Sequence, residues 1–170
     1  MLVASSFDNA GTVTLNRIGA GGPDAWLFVK GDFANNGVVG LHGDSETFTR
    51  EVSAAGSVKL YDGSTLQFDT VVTGGQTVMD NGANAIVLDK AAAFHGAIAG
   101  FGVGDTIDAT SFVHGPTTFT YQENPANTGG VLTLIDAARE ARIRFIGAGY
   151  SKHDFSLGPD SGKGTLINFV

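Results

Sequence analysis

The chain has 170 residues, a formal net charge of −7 and no cysteine; 42% of its residues are hydrophobic and 16% charged. That length suits one domain with its own core. The missing cysteine excludes a disulfide scaffold, a thiolate metal site and a cysteine nucleophile, and the acidic balance argues against nucleic acid, whose phosphates need a basic face.

Glycine is frequent (25 residues) and proline scarce (4), without a collagen period. Such a composition suits many short strands joined by tight turns. No apolar run reaches the roughly 18 residues of a membrane-spanning helix, so no membrane insertion is expected.

Internal repetition begins early. Phe7-Asp8-Asn9-Ala10-Gly11-Thr12-Val13-Thr14-Leu15 returns 26 positions later as Phe33-Ala34-Asn35-Asn36-Gly37-Val38-Val39-Gly40-Leu41. Its core, a glycine followed by a short alternating strand, recurs from Gly56, Gly75 and Gly96, at spacings of 19, 19 and 21 residues. A drifting period near 20 with a strand at constant phase is the mark of a solenoid. Residues 19–24 read as a loop inserted into the first unit, and residues 26–29, 66–72 and 85–88 as second strands, rich in β-branched and aromatic side chains.

Turns follow at Asp62-Gly63, Gly74-Gly75 and Asp80-Asn81-Gly82. Asp62 and Asp80 serve turn chemistry at a similar phase, or else form a stacked carboxylate row for calcium. Residues 89–94 allow one helical turn at most, being too short for a stable helix. The stretch 94–112 reads as strand, corner, strand, anchored by Phe94, Ile98, Phe101, Val103, Ile107 and Phe112. Beyond Ser111 the pattern changes. Residues 131–135 and 141–146 alternate as a β-hairpin, with Leu132, Leu134, Ile143 and Phe145 on a buried face and Arg142 and Arg144 facing solvent. A last pair of strands spans residues 155–157 and 165–170.

These elements predict an all-β fold: a parallel β-helix, or β-solenoid, of about four or five short coils, closed by an antiparallel C-terminal hairpin cap. The coils occupy residues 1–112 and the cap residues 113–170, packed on the same core as a single continuous domain. An antiparallel cap would protect the edge that a parallel stack leaves open.

The run from Phe94 through Gly104-Asp105-Thr106-Ile107-Asp108, then Leu132-Thr133-Leu134, Phe145, Gly149-Tyr150, Phe155 and Asp160-Ser161-Gly162-Lys163-Gly164-Thr165-Leu166-Ile167, resembles a module of large bacterial surface proteins. These are autotransporter-like or type I secreted adhesins and haemagglutinin-like repeats. The resemblance spans roughly residues 56–168. It implies a right-handed parallel β-helix or related solenoid, outside the cell or on the bacterial cell surface, within a much longer polypeptide. Tandem calcium-binding nonapeptides of the RTX type are absent, so a calcium β-roll is not expected. Isolated echoes leave Asp105, Asp108 and Asp160 as the candidate ligands of a single surface calcium ion; no other cofactor is expected.

No catalytic residue stands out. His42, His95, His114 and His153 lack metal spacing. Asp62, Asp69, Asp80 and Asp89, with Lys59 or Tyr61 nearby, are what a β-helix polysaccharide lyase or epimerase would use. Trp26, Phe28 and Tyr61 are the aromatics for a sugar platform, although Trp26 and Phe28 fit a buried core better. The preferred reading is a non-enzymatic structural or adhesive segment of a secreted or surface-displayed protein; the alternative is a polysaccharide-binding module or a lyase or epimerase. Its expected partners are polysaccharide, a host or cell-surface protein, and neighbouring repeats of the parent chain.

Overall fold

Short alternating runs of apolar and polar residues build strands of three to eight residues, and glycine, asparagine and aspartate turns end them. The computed structural model describes residues 2–4, 6–16, 27–29, 32–43, 45–48, 52–137 and 139–170. In chain order the strands are β1 (Leu2–Ala4), β2 (Phe7–Asn9), β3 (Thr12–Asn16), β4 (Leu27–Val29), β5 (Phe33–Asn35), β6 (Val38–His42), β7 (Ser45–Phe48), β8 (Val52–Ala54), β9 (Ser57–Tyr61) and β10 (Thr65–Phe68). They continue with β11 (Gln76–Asn81), β12 (Ala85–Leu88), β13 (Ala97–Ala99), β14 (Thr106–Ala109), β15 (Thr118–Glu123), β16 (Gly129–Asp136), β17 (Arg139–Ile146), β18 (Phe155–Pro159) and β19 (Thr165–Phe169). Two 310 turns, Ala91–Ala93 and Lys152–Asp154, are the only helical elements among the described residues. No described helix is long and apolar enough to cross a membrane.

The strands fall into four separate sheets. An eight-stranded sheet has the order β15-β16-β17-β13-β11-β9-β6-β3, a six-stranded sheet β18-β19-β14-β12-β10-β7, a three-stranded sheet β2-β5-β8, and a two-stranded sheet β1-β4. This overturns the expected parallel β-helix or β-solenoid with a hairpin cap. The sheets are separate, the two large ones are mixed, and the antiparallel strands are integral members of them. The physical reason lies in the last third of the chain. β16 and β17 are long enough to pair with each other over eight residues about a tight turn in which Ala137 takes φ 46°. β17 then uses its other edge to pair in parallel with β13. The all-β class itself holds.

The repeat spacings reappear as strand register. Phe7 pairs with Phe33, Val38 with Ser57, Ser57 with Gln76 and Gln76 with Ala97, all in parallel. Equivalent side chains therefore lie beside one another. Leu41 and Leu60 are opposite each other in the eight-stranded sheet, and Leu66, Ile86 and Ile107 form a row across the six-stranded one. All five are fully buried. One apolar core joins them to Phe33, Phe68, Phe94, Leu132, Leu134, Ile143 and Phe145.

Polar residues in the turns stack in the same way. Asn9 is buried and donates from Nδ2 to Asn35 Oδ1 at 2.9 Å, while Asn35 donates to the Ser57 carbonyl at 3.0 Å. Each asparagine Oδ1 also accepts from the backbone N–H of the glycine two residues on, Gly11 or Gly37. Glycine is required beyond these asparagines because the turns pack backbone on backbone. A Cβ on Gly56 would overlap the Gly37 carbonyl oxygen, and one on Gly37 that of Gly11.

The expected strands at 85–88, 131–135, 141–146, 155–157 and 165–170 are present within a few residues of those bounds, and the helical turn after Asp89 is a single 310 turn. The run 66–72 is shorter than expected: β10 ends at Phe68, and Val72 forms only isolated bridges to Val52 and Phe94. β15 was hidden by the prolines that flank it, Pro116 and Pro125. Val103, expected as an apolar anchor, is 84% exposed in the turn before β14. The loop 19–24 and Trp26 lie outside the described residues, as do the side chains of Phe28 and Asp80.

Candidate functional site

Parallel pairing aligns the residues that end successive strands of the six-stranded sheet. Asp69 follows β10, Asp89 follows β12 and Thr110 follows β14. Asp108, within β14, carries the row on towards Asp160 at the end of β18 and β19. The row is knit by hydrogen bonds: Gln67 Nε2 donates to Asp69 Oδ1 at 2.7 Å, and Thr110 Oγ1 to Asp89 Oδ1 at 3.0 Å. Burial raises the Asp69 carboxyl above its usual range despite the Gln67 hydrogen bond, and the Asp89 charge adds to the rise.

Asp108 is the most perturbed member. Its Oδ1 is shielded from solvent and has no hydrogen-bond partner among the described residues. Burial, then the charges of Asp160 and Asp89, push its carboxyl up to about 6. Asp160 Oδ1 accepts from the Gly162 N–H at 2.8 Å and closes the turn before β19. Asp108 and Asp160 do face one another: a Cβ on Gly164 would lie 2.6 Å from Asp160 Oδ2 and 3.1 Å from Asp108 Oδ1.

Asp105 lies apart from this pair. It is 5% exposed, and both oxygens accept backbone hydrogens, Oδ1 from Asn84 and Oδ2 from Gly102, each at 2.9 Å. Asn84 Oδ1 in turn accepts from the Ser64 N–H at 3.0 Å. Ser64, Asn84 and Asp105 thus form a second polar ladder, and burial keeps the Asp105 carboxyl raised although these hydrogen bonds oppose it. The three calcium candidates are therefore divided between a buried ladder and a half-exposed carboxylate pair. No group of three or more His, Asp or Glu among the described residues is placed to hold a metal ion.

The row makes stability depend on pH. Asp108 holds its proton more tightly folded than unfolded, so its contribution is fully present below the ordinary aspartate value near 3.8 and falls away as pH rises to about 6. Discounted for partial exposure, the loss is about 1–2 kcal/mol. Asp108→Asn, which keeps the shape without the charge, is expected to raise the melting temperature above pH 7 and to flatten the melting profile between pH 4 and about 6. An unchanged profile in scanning calorimetry would remove Asp108 from this environment.

Other singled-out residues are dispersed. The His42 and Tyr61 rings stack at 4.4 Å, 8° from parallel, and His42 Nδ1 is 3.6 Å from Asp62 Oδ2. Asp62 lies in the turn that enters β10, whereas Asp69 follows the far end of that strand. The lyase-type set Asp62, Asp69 and Asp89 therefore does not converge. His114 and His153 are exposed and separate.

One grouping was not foreseen. Register places Arg144 beside Ala97 and Val131, and Arg142 beside Thr133, on the outward face of the eight-stranded sheet. His95 joins both arginines around a cleft of about 350 Å³. Alternation in residues 141–146 announced the exposed arginines; only the pairing of β17 with β13, nearly 50 residues earlier, brings His95 to them.

The family described as hyphally regulated cell wall protein N-terminal matches the chain over residues 1–170. No curated protein matches it. The family is one of fungal cell wall proteins, which overturns the resemblance to bacterial adhesin modules. Low-complexity glycine, aspartate and isoleucine motifs arise wherever short strands are joined by tight turns, so they could not separate the two families. A cell wall protein domain is extracellular, at the cell surface.

Proposed function

Because the chain belongs to the hyphally regulated cell wall protein N-terminal family, we propose that it is a non-enzymatic structural segment of the cell surface. The observation that supports this reading is the parallel register across β3, β6, β9, β11 and β13, shifted once at a bulge between Met79 and Asn81 and backed by the Asn9–Asn35 and Ser64–Asn84–Asp105 ladders. Each strand borrows its hydrogen bonds and core from its neighbours, so no short segment opens alone at low cost. Such a body resists proteases and transmits force, as a wall demands.

The carboxylate row belongs to the folded frame, since its partners are the turns and strand ends themselves. The test is chemical. Alginate and pectin incubated with the protein, with and without calcium, are expected to show no rise in the absorbance of unsaturated products. A rise would replace the structural reading with a lyase.

A further inference from the structure

A basic groove crosses the outward face of β16 and β17. In a chain with 10 Lys and Arg against 17 Asp and Glu, three arginines fall within residues 139–144. Arg139 is committed to the fold, donating from Nη1 to the Ser111 carbonyl. Arg142 and Arg144 are exposed. Arg142 lies 3.8 Å from Glu140 in a solvent-exposed pair of small energetic weight. The Arg144 side chain has no ion pair or hydrogen bond among the described residues.

Arg144 stands between two clefts. One, of about 350 Å³, is bounded by His95, Arg142, Arg144 and Val131. The other, of about 330 Å³, is bounded by Asn124, Thr128, Arg144 and Val131. Val131 and Arg144 line both clefts, so the two adjoin along one surface groove. At its far end Asn124 and Thr128 are held by two mutual hydrogen bonds, from Asn124 Nδ2 to Thr128 Oγ1 at 3.1 Å and from the Thr128 N–H to Asn124 Oδ1 at 3.0 Å.

We propose that this groove binds an anionic polysaccharide, with Arg142 and Arg144 taking its carboxylates and Asn124, Thr128 and His95 its hydroxyls. Guanidinium forks match carboxylate geometry through paired charge-assisted hydrogen bonds. An acidic peptide fits less well. β17 is paired with β16 along its length and with β13 over Arg144–Ile146, so at Arg144 an extended peptide finds no free backbone ladder. A glycan needs none, and the family is one of cell wall proteins. The assignment goes beyond the structural role and does not depend on it.

The test is a titration of the intact chain with polygalacturonate at low and physiological salt, with neutral dextran and poly-glutamate in parallel. Binding to polygalacturonate alone, weakened by salt, is expected. Arg142→Gln and Arg144→Gln together should weaken it by about tenfold or more, while Lys163→Gln, which removes one charge from the turn before β19, should change it less than about twofold. Melting temperatures are expected to stay unchanged. If the double variant melts early, Arg142→Gln and Arg144→Gln are titrated singly: weaker binding in either, with an unchanged melting temperature, supports the groove, and unchanged binding in both overturns it. Absence of binding, equal binding of poly-glutamate or dextran, or an equal loss in Lys163→Gln would each overturn the assignment.

Discussion

Ile107→Asp is expected to abolish cooperative folding. Ile107 is fully buried in β14, opposite Ile86 on one side and Ile167 on the other. It is the point where the parallel part of the six-stranded sheet meets its antiparallel part. A carboxylate there has no partner, and leaving a charge unpaired in such a site costs on the order of 5 kcal/mol or more. That approaches the whole stability of a domain, about 5–15 kcal/mol. Ile107→Val, which removes one methyl group, should cost only about 1 kcal/mol. Circular dichroism melts of the two variants beside the parent provide the measurement. A normal transition in Ile107→Asp would show that residue 107 is not in the core.

Phe145→Ala should rank next, at about 3–5 kcal/mol. Phe145 is 1% exposed, and its ring lies 5.1 Å from Phe155, 5.5 Å from Phe101 and 5.6 Å from Tyr150. These rings come from β17, β18, the segment between them and the segment after β13, so one side chain ties strands of both large sheets together. Tyr150 fastens the cluster further by donating from its hydroxyl to the Phe101 carbonyl at 3.0 Å. Alanine would leave a cavity that the paired strands cannot close, because β17 is held on both edges. The loss should appear as a lower urea midpoint, and amide exchange should quicken first in β16 to β19. Phe145→Leu, which refills much of the space, should recover about half of the loss. Equal midpoints for Phe145→Ala and the parent would mean that the cluster does not bind the two sheets.

Much of the strand inventory was legible because it rests on local chemistry. Alternation at 141–146 identified a half-buried strand with Ile143 and Phe145 inward and Arg142 and Arg144 outward, as observed. The sheets were harder to read. A strand of three to six residues carries too little pattern to name its neighbour, and a tight turn does not say which sheet the chain joins next. The family resemblance misled for the same reason, since its motifs are those of turns. Of the calcium candidates, Asp108 and Asp160 do meet, but the spacing that singled out Asp105 belongs to a turn whose carboxylate is consumed by backbone N–H groups.

The sequence by itself determined the all-β class, the near-20-residue spacing and the alternation that sorts inward from outward residues, because each follows from side-chain size, polarity and turn preference within a few positions. Tertiary structure alone decided the division into four sheets, the joining of β17 to β13, and the meetings of Asp89 with Thr110 and of His95 with Arg142 and Arg144. Those pairings join residues 20 to 50 positions apart. They are selected by the competition of all strands for hydrogen-bonded edges and a shared core, which no single stretch of the chain encodes.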